Sequence, residues 1–344
     1  MNFAVILAGG IGSRFWPLSS ATQPKQFLNL FSKRPLLTES LDRLGHLIDK
    51  NKIYIATNKI YRKSINACTR RSGIPSKNFL FEPQGKNTFA PIAILSSMIC
   101  NKDKDAIIMA LPSDHFIKDK NKFIRALKGA LGLAKAGYIV TLGIAPDRPE
   151  AGYGYIKVNS KLKTQNSKVF NVERFIEKPD LEKAKKFAKD KRFYWNSGIF
   201  IFQAKTFLEE VRRYVPGVYQ ILTKIKDKKD LKRYWFKLPS ISIDYAIMEK
   251  TKKLALVPLS CGWSDLGSWK AIEEIMQKDK NGNIFRGKHI DLGSRNTTVW
   301  TEKRLVATIG LRDIIIVDTD RGLLVCHKDK AQDVKKITQA LKNK

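Results

Sequence analysis

Apolar residues in the first 145 positions fall in short blocks separated by longer amphipathic stretches. The blocks at 3–8, 52–57, 78–82, 106–111 and 138–144 are rich in Val, Ile, Leu, Tyr and Phe, which marks them as strands. Stretches near 36–48, 60–71, 88–100 and 122–136 carry helical patterns instead. In the last of these Phe123, Leu127, Leu131 and Ala134 share one face, and Gly137 stands where a helix stops. Strand–helix alternation builds βαβ units and predicts an α/β class: a Rossmann-like, mixed but mainly parallel sheet flanked by helices. Ligands are then expected at the carboxyl ends of the strands.

From about 150 to 270 the rhythm changes to longer loops, aromatic clusters and mixed strand signals. A turn-rich break, KDKNGNIFRGKH, surrounds 281–287. Beyond it, short β-like pieces at 297–300, 305–309, 314–318 and 323–327 alternate with turn residues, and 331–341 reads as an amphipathic helix. The expected organisation is a main domain over 1–284 and a small β-rich C-terminal domain over 285–344.

Composition narrows the class. With 344 residues, 43% of them apolar, the chain can bury a sizeable core. No run approaches the roughly 18 uninterrupted apolar residues of a membrane span, and the N-terminus has neither a basic leader nor a cleavage pattern. Cys68, Cys100, Cys261 and Cys326 are scattered without a Cys-x-x-Cys pair. That argues against a disulfide framework or a structural zinc site, and fits a reducing cytoplasm. The 64 Lys+Arg outnumber the 32 Asp+Glu, a net charge of +32. The basic residues are spread along the whole chain with no long block and no DNA-binding motif. Neither nucleic acid nor a membrane is therefore an expected partner, and the charge suits polyanionic small substrates.

Candidate chemistry begins at ILAGGIGSRFWPLSSATQPKQFL, residues 6–28. Three glycines follow a strand, yet Phe15 occupies the third glycine position of a dinucleotide fingerprint, and Asn58 is the residue available where its acid belongs. A P-loop needs Gly-Lys-Ser/Thr, which this loop lacks. What remains is a loop of backbone N–H groups around a triphosphate, with Arg14 offering a guanidinium fork and Lys25 a point charge.

These residues resemble the signature of the sugar-1-phosphate nucleotidyltransferases, and the FWPLS…PKQFL portion is similar to that of the mannose-1-phosphate guanylyltransferases (GDP-mannose pyrophosphorylases). Further blocks agree in order: EPQGKNT (82–88), LPSDHFI (111–117), RPEAGYGYI (148–156), FIEKPD (175–180), WNSGIFIF (195–202), SIDYAIMEK (242–250), GWSDLGSW (262–269) and VDTDRGLLVCHKDKAQDVKKI (317–337). The resemblance spans nearly the whole chain. It implies a left-handed β-helix for the C-terminal domain, used for homodimer contacts. The cupin-like isomerase domain of longer relatives is missing before Lys344, so no isomerase activity is expected.

The resemblance implies nucleotide contacts at Leu7, Ala8, Gly9, Gly10, Gly12 and Ser13 of the loop, at Glu82, Gly85, Asn87 and Thr88, and at Ser113 and Asp114. Guanine as the base rests on the resemblance alone. Asp114 lies just past a predicted strand and Asp265 in a loop rimmed by Trp263 and Trp269. Two distant carboxylates suit Mg²⁺, which takes few protein ligands plus waters and phosphates, and the resemblance implies these two. Gly152, Tyr153, Glu177 and Asn196 supply flexible backbone, an aromatic wall and polar groups for a hexose. Lys178 would hold the sugar phosphate, while Arg14 and Lys25 would stabilise departing pyrophosphate.

The implied reaction is GTP plus mannose 1-phosphate giving GDP-mannose and pyrophosphate. The sugar phosphate is already anionic at pH 7, so it attacks without a general base, and catalysis is positioning plus charge neutralisation. Rival readings are a pyrophosphorylase for another NDP-sugar, a non-catalytic sugar-nucleotide-binding regulatory subunit, and a nucleic-acid binder.

Overall fold

The computed structural model describes residues 1–10, 12–45, 47–161 and 169–341. Along the chain run β1 (Asn2–Leu7), α1 (Leu36–Leu44), β2 (Ile53–Asn58), α2 (Arg62–Thr69), β3 (Phe79–Glu82), α3 (Phe89–Cys100), β4 (Ile107–Pro112), the short β5 (Phe116–Ile117), α4 (Lys120–Lys135) and β6 (Ile139–Ile144). The five strands and four helices expected from the apolar pattern are all present, with α1 shorter than predicted. Residue 46, within that predicted helix, lies outside the described residues. Helix α4 buries Phe123, Leu127, Ala130, Leu133 and Ala134, while Leu131 is only half-buried. Gly137 closes it at φ 90°, with its N–H donating to the Ala134 carbonyl at 3.0 Å.

The middle of the chain adds β7 (Tyr155–Lys161), β8 (Phe170–Ile176), α5 (Leu181–Lys189), β9 (Phe193–Gln203), α6 (Ala204–Tyr214), α7 (Pro216–Lys224), α8 (Lys228–Trp235), β10 (Leu254–Pro258), the short β11 (Trp263–Ser264) and α9 (Trp269–Ile275). One compact unit comprises Met1–Gly9, Ser40–Ser113 and Ile117–Trp263. Its sheet has nine strands in the order β3-β2-β1-β4-β9-β6-β10-β8-β7. Strands β1, β2, β3 and β4 pair in parallel, as do β6 and β10, whereas β9 runs antiparallel between β4 and β6. The chain leaves β1 for β2 and β3 on one side and returns to β4 on the other. That reversal opens a crevice at the carboxyl ends of β1 and β4, where an α/β sheet binds its ligands. Helix α3 is apolar nearly all round, with Phe89, Ile92, Ile94 and Leu95 buried together, so it forms an inner wall of the core.

The other compact unit comprises Gly10–Glu39, Asp114–Phe116 and Ser264–Lys344. It holds β12 (Ile284–Arg286), β13 (His289–Leu292), β14 (Thr298–Thr301), β15 (Val306–Ile309), β16 (Ile314–Thr319), β17 (Gly322–His327) and α10 (Val334–Ala340). Strands β12, β14 and β16 stack in parallel, β13 pairs with β15, and β17 folds back antiparallel on β16. Side chains 17 residues apart face one another from rung to rung: Thr308 donates to Asp291 at 2.6 Å and Asn296 to Asp313 at 2.5 Å. A fixed repeat with two stacked parallel ladders is the pattern of a β-helix. Val299, Trp300, Ile315, Val317 and Leu324 fill it, together with Phe15, Leu18, Trp269 and Ile272. Lys328 and Glu273, each only 7% exposed, pair there at 2.9 Å, and Thr298 donates a second bond to Glu273 at 2.8 Å. A buried ion pair needs such extra partners to offset its desolvation. Among the described residues no helix is long and apolar enough to cross a membrane.

Candidate active site

At the crevice of the nine-stranded sheet, Leu7 and Pro112 are register partners at the strand ends. The Ser113 N–H donates to the Leu7 carbonyl at 3.1 Å, and Ser40 Oγ to the Ser113 carbonyl at 3.0 Å. Ala8 is held from both sides: its N–H donates to Ala56 and its carbonyl accepts from Thr57 Oγ1, each at 2.8 Å. This fixes the backbone from which Gly9 emerges. A Cβ on Gly9 would lie 3.6 Å from Glu82 Oε1. Glu82 is buried, and burial pushes its carboxyl up to about 7 although the Lys86 N–H bonds to it.

The loop after Glu82 is pinned by the far end of the same unit. Trp235 Nε1 donates to the Gln84 carbonyl at 2.8 Å, and the Ile243 N–H to Thr88 Oγ1 at 2.9 Å. Asn87 sits at φ 60°, its side-chain oxygen accepting from the Thr88 N–H at 2.9 Å. Gly85 has open space where a Cβ would stand. Strained backbone of this kind costs on the order of 1–3 kcal/mol and persists where the surroundings hold it.

Of the predicted sugar residues, Glu177 and Asn196 meet in one polar cluster around Gly154. Asn196 Nδ2 donates to Asp244 Oδ1 at 2.9 Å, and its oxygen accepts from the Gly198 N–H at 3.0 Å. The Asn196 N–H donates to the Gly154 carbonyl at 2.8 Å. A Cβ on Gly154 would stand 2.6 Å from Glu177 Oε2, so any larger residue there displaces that carboxylate. Lys178, at φ 46° and largely exposed, turns its Nζ to 3.2 Å from Glu177 Oε1. The Glu177 N–H donates to Glu249 at 3.0 Å. Burial pushes the Asp244 carboxyl up to about 7, with the Glu177 charge adding to the effect. Glu177 is raised as well, by burial, against the pull of Lys178. Tyr153 packs edge-on to Trp195 and Trp263 at 5.1 and 5.5 Å, and Gly152 caps Glu150 with a 3.0 Å bond.

The second unit contains Arg14, Lys25, Asp114 and Asp265. Gly12, at φ 65°, lies so close to Lys25 that a Cβ would stand 2.5 Å from Lys25 Cβ. Ser13 opens the 3-10 turn Ser13–Phe15 that follows. Arg14 is exposed on that turn, and no hydrogen bond or ion pair fixes its guanidinium among the described residues. Gly10 is likewise exposed, with open space at its Cβ position. Lys25 is 7% exposed and spends its three N–H bonds inside: on Asp114 Oδ2 at 2.8 Å, the Asp265 carbonyl at 2.6 Å and the Leu266 carbonyl at 3.1 Å. Burial alone would raise the Asp114 carboxyl, but the Lys25 ammonium, with His115 beside it, holds it below the ordinary carboxylate range. Asp265 folds over Gly267, whose Cβ position is 3.2 Å from both carboxylate oxygens. Leu266 is fully buried at φ 52°, a costly conformation that aims its carbonyl at Lys25.

Residue-type reasoning overlooked Asp244, Glu249 and Leu266. The block SIDYAIMEK does contain both acids, and residues Asp244–Met248 wind as a π-helix, a form that recurs at functional sites. No apolar periodicity signals such a turn, and the strain at Leu266 is visible only in the backbone.

Residues 3–282 match the Nucleotidyl transferase family, and 287–341 match the MannoseP isomerase/GMP-like beta-helix domain. The chain belongs to the nucleotidyl transferase family and is an enzyme of that class. The relatives narrow the resemblance. The mannose-1-phosphate guanylyltransferase of Salmonella muenchen is 36% identical over 348 residues, covering 98% of this chain and 73% of that protein. Alginate biosynthesis protein AlgA of Pseudomonas fluorescens is 39% identical over 346 residues, covering 98% and 71%. A crystal structure from Thermus thermophilus, described as a mannose-1-phosphate geranyltransferase, aligns at a TM-score of 0.89 with 31% identity over 99% of both chains. The likeness to mannose-1-phosphate guanylyltransferases seen in the ordered blocks is thereby borne out.

Proposed function

We propose that the chain transfers the guanylyl group of GTP to mannose 1-phosphate, releasing pyrophosphate and GDP-mannose. One observation carries the chemistry: a single buried ammonium, Lys25, bonds both Asp114 and the Asp265 backbone, which is 240 residues away in sequence. The base and the sugar follow the names of the relatives. Mg²⁺ fits the donor chemistry, because Asp114 and Asp265 would offer hard carboxylate oxygens and Asp114 stays ionised beside Lys25. When bound, the ion neutralises charge where nucleophile and α-phosphate meet.

The chain's own residues do the rest. Arg14, exposed and without a partner among the described residues, offers its fork to the departing pyrophosphate. Lys25 holds the Asp114 carboxylate and the backbone carbonyls of Asp265 and Leu266, and a phosphate oxygen reaches it only by displacing one of these three acceptors. Lys178 is exposed and takes the sugar phosphate, which is anionic and attacks without a base. Glu177, Asn196 and Asp244 take sugar hydroxyls, and an Asp244 that holds its proton near neutrality can donate as well as accept. Leu7, Ala8, Gly9, Ser113 and the loop of Glu82, Gly85, Asn87 and Thr88 cradle the nucleoside. The catalytic domain is assigned to 1–284 and the β-rich domain to 285–344. The protein is taken to work in the cytoplasm as a homodimer, without nucleic acid or membrane.

A panel of nucleoside triphosphates and sugar 1-phosphates, read by pyrophosphate release, tests this. GTP with mannose 1-phosphate should turn over fastest. A UDP- or ADP-sugar as main product overturns the substrate assignment, and silence with every pair favours a regulatory subunit.

A further inference from the structure

The nine-stranded unit carries a groove of about 1260 Å³ that includes none of the residues assigned above. Lys59, Arg62, Arg70, Lys77 and Lys232 line it, and no carboxylate does. None of the five has an acidic partner among the described residues. Elsewhere on the same unit exposed lysines do pair, as Lys183 with Asp180 and Lys185 with Glu182, both at 2.8 Å. Five like charges sharing a concavity focus a field that an anion relieves.

The floor of the groove is β3, the end strand of the sheet, which pairs with β2 alone. Phe79 and Phe81 lie on one face of this strand and Leu80 on the other, yet all three line the groove. The groove therefore follows the open edge of the strand, where backbone donors and acceptors stand ready for another chain. Phe79 and Phe81 stack at 6.0 Å, the Arg62 guanidinium lies 4.1 Å from the Phe81 ring, and Phe236 is 62% exposed.

We propose that this groove binds an extended acidic polypeptide segment, which adds to β3 as a tenth strand. A nucleotide or free polyphosphate would satisfy the cations but leave the strand edge unpaired, and one nucleotide would not fill the volume. An added strand satisfies both. Matching β3 takes four residues, about 13 Å of extended chain, with main-chain bonds to the edge. Acidic side chains would meet the five cations, and apolar ones the phenylalanine rings. Glu82, the last residue of β3, belongs to the proposed nucleotide loop but does not line the groove.

The test is fluorescence anisotropy on the full chain at physiological ionic strength. The probe is a fluorescein-labelled octapeptide of alternating Glu and Val or Thr. Comparators are the same peptide with a central proline, an oligodeoxythymidine ten-mer, and unlabelled pyrophosphate as competitor. Saturable peptide binding is expected, weakened about tenfold or more by Arg70→Glu with Lys77→Glu, and similarly by the proline, which removes a ladder donor. All the altered side chains are exposed, and Lys232→Glu gives a second, independent variant. Pyrophosphate release by these variants should match the unaltered chain. Equal binding of the proline peptide, tighter binding of the ten-mer, displacement by pyrophosphate as readily as by unlabelled peptide, or indifference to charge reversal each overturns the proposal. Loss of transfer activity together with peptide binding also overturns it, since the groove would then be part of the active site.

Discussion

Replacing Lys25 by methionine keeps the stem of the side chain and removes the ammonium that joins Asp114 to the Asp265–Leu266 backbone. The lysine side chain is 9% exposed and that of Asp114 25%, so neither the lost charge nor the vacated carbonyls are well served by water. Leaving a mostly buried carboxylate without its cation and two carbonyls without a donor costs about 3 kcal/mol of stability. Turnover should fall by on the order of 10²-fold or more, the scale of a lost preorganised charge contact. The assay is pyrophosphate release at saturating GTP, mannose 1-phosphate and Mg²⁺, with urea unfolding in parallel. Because Lys25 touches Asp114 directly, the losses of Lys25→Met and Asp114→Asn should not add: the double variant should be about as slow as the worse single one. Wild-type turnover in a folded Lys25→Met, or strictly additive losses, refutes the reasoning.

Asp265→Asn should raise the Mg²⁺ concentration needed for half-maximal rate by about tenfold or more; an unchanged magnesium titration removes that ligand. Gly154→Ala drives a methyl to within 2.6 Å of Glu177 Oε2 and should raise KM for the sugar phosphate about tenfold, leaving KM for GTP alone; the reverse pattern would misplace the sugar site. Burial holds Asp244 at about 7, above its unfolded value of roughly 4, so the folded state keeps a proton that the unfolded chain has released. That contribution is fully present below about pH 4 and is lost as pH rises through 7. Asp244→Asn should therefore flatten the fall in unfolding midpoint between pH 5 and 8, and parallel profiles for the two proteins contradict it.

Apolar blocks at 3–8 and 106–111 predicted β1 and β4, because strands buried on both faces read as continuous apolar runs. Strand β9 broke that rule: FYWNSGIFIFQ alternates at first and then turns wholly apolar, with Asn, Ser and Gly inside it. Asn196 among them bonds Asp244 and the Gly198 N–H, so the polar residue that hid the strand is the one that builds the polar cluster. Likewise β8 carries Glu173 and Arg174 on its exposed positions, which diluted its signal. Asp114 was legible by position, one residue beyond the Ser113 that follows β4. Its dependence on Lys25 was not, since an ion pair across 89 positions leaves no periodic trace.

The two polar clusters solve charge in opposite ways, and the difference sorts their ligands. Around Lys25 a full cation sits on a full anion, and Asp114 stays ionised despite burial. Such a carboxylate is ready for a hard cation and useless as a proton donor. Around Asn196, burial raises both Glu177 and Asp244, and the nearby cation, Lys178, is largely exposed. Two carboxyls that resist ionising together suit neutral hydroxyls, which both give and accept hydrogen bonds, while the exposed lysine suits a phosphate arriving from water. Under the proposed function, a sugar phosphate, with a hydroxylated ring at one end and a phosphate at the other, meets both demands of this second cluster, and a ligand lacking either would leave one of them unpaired.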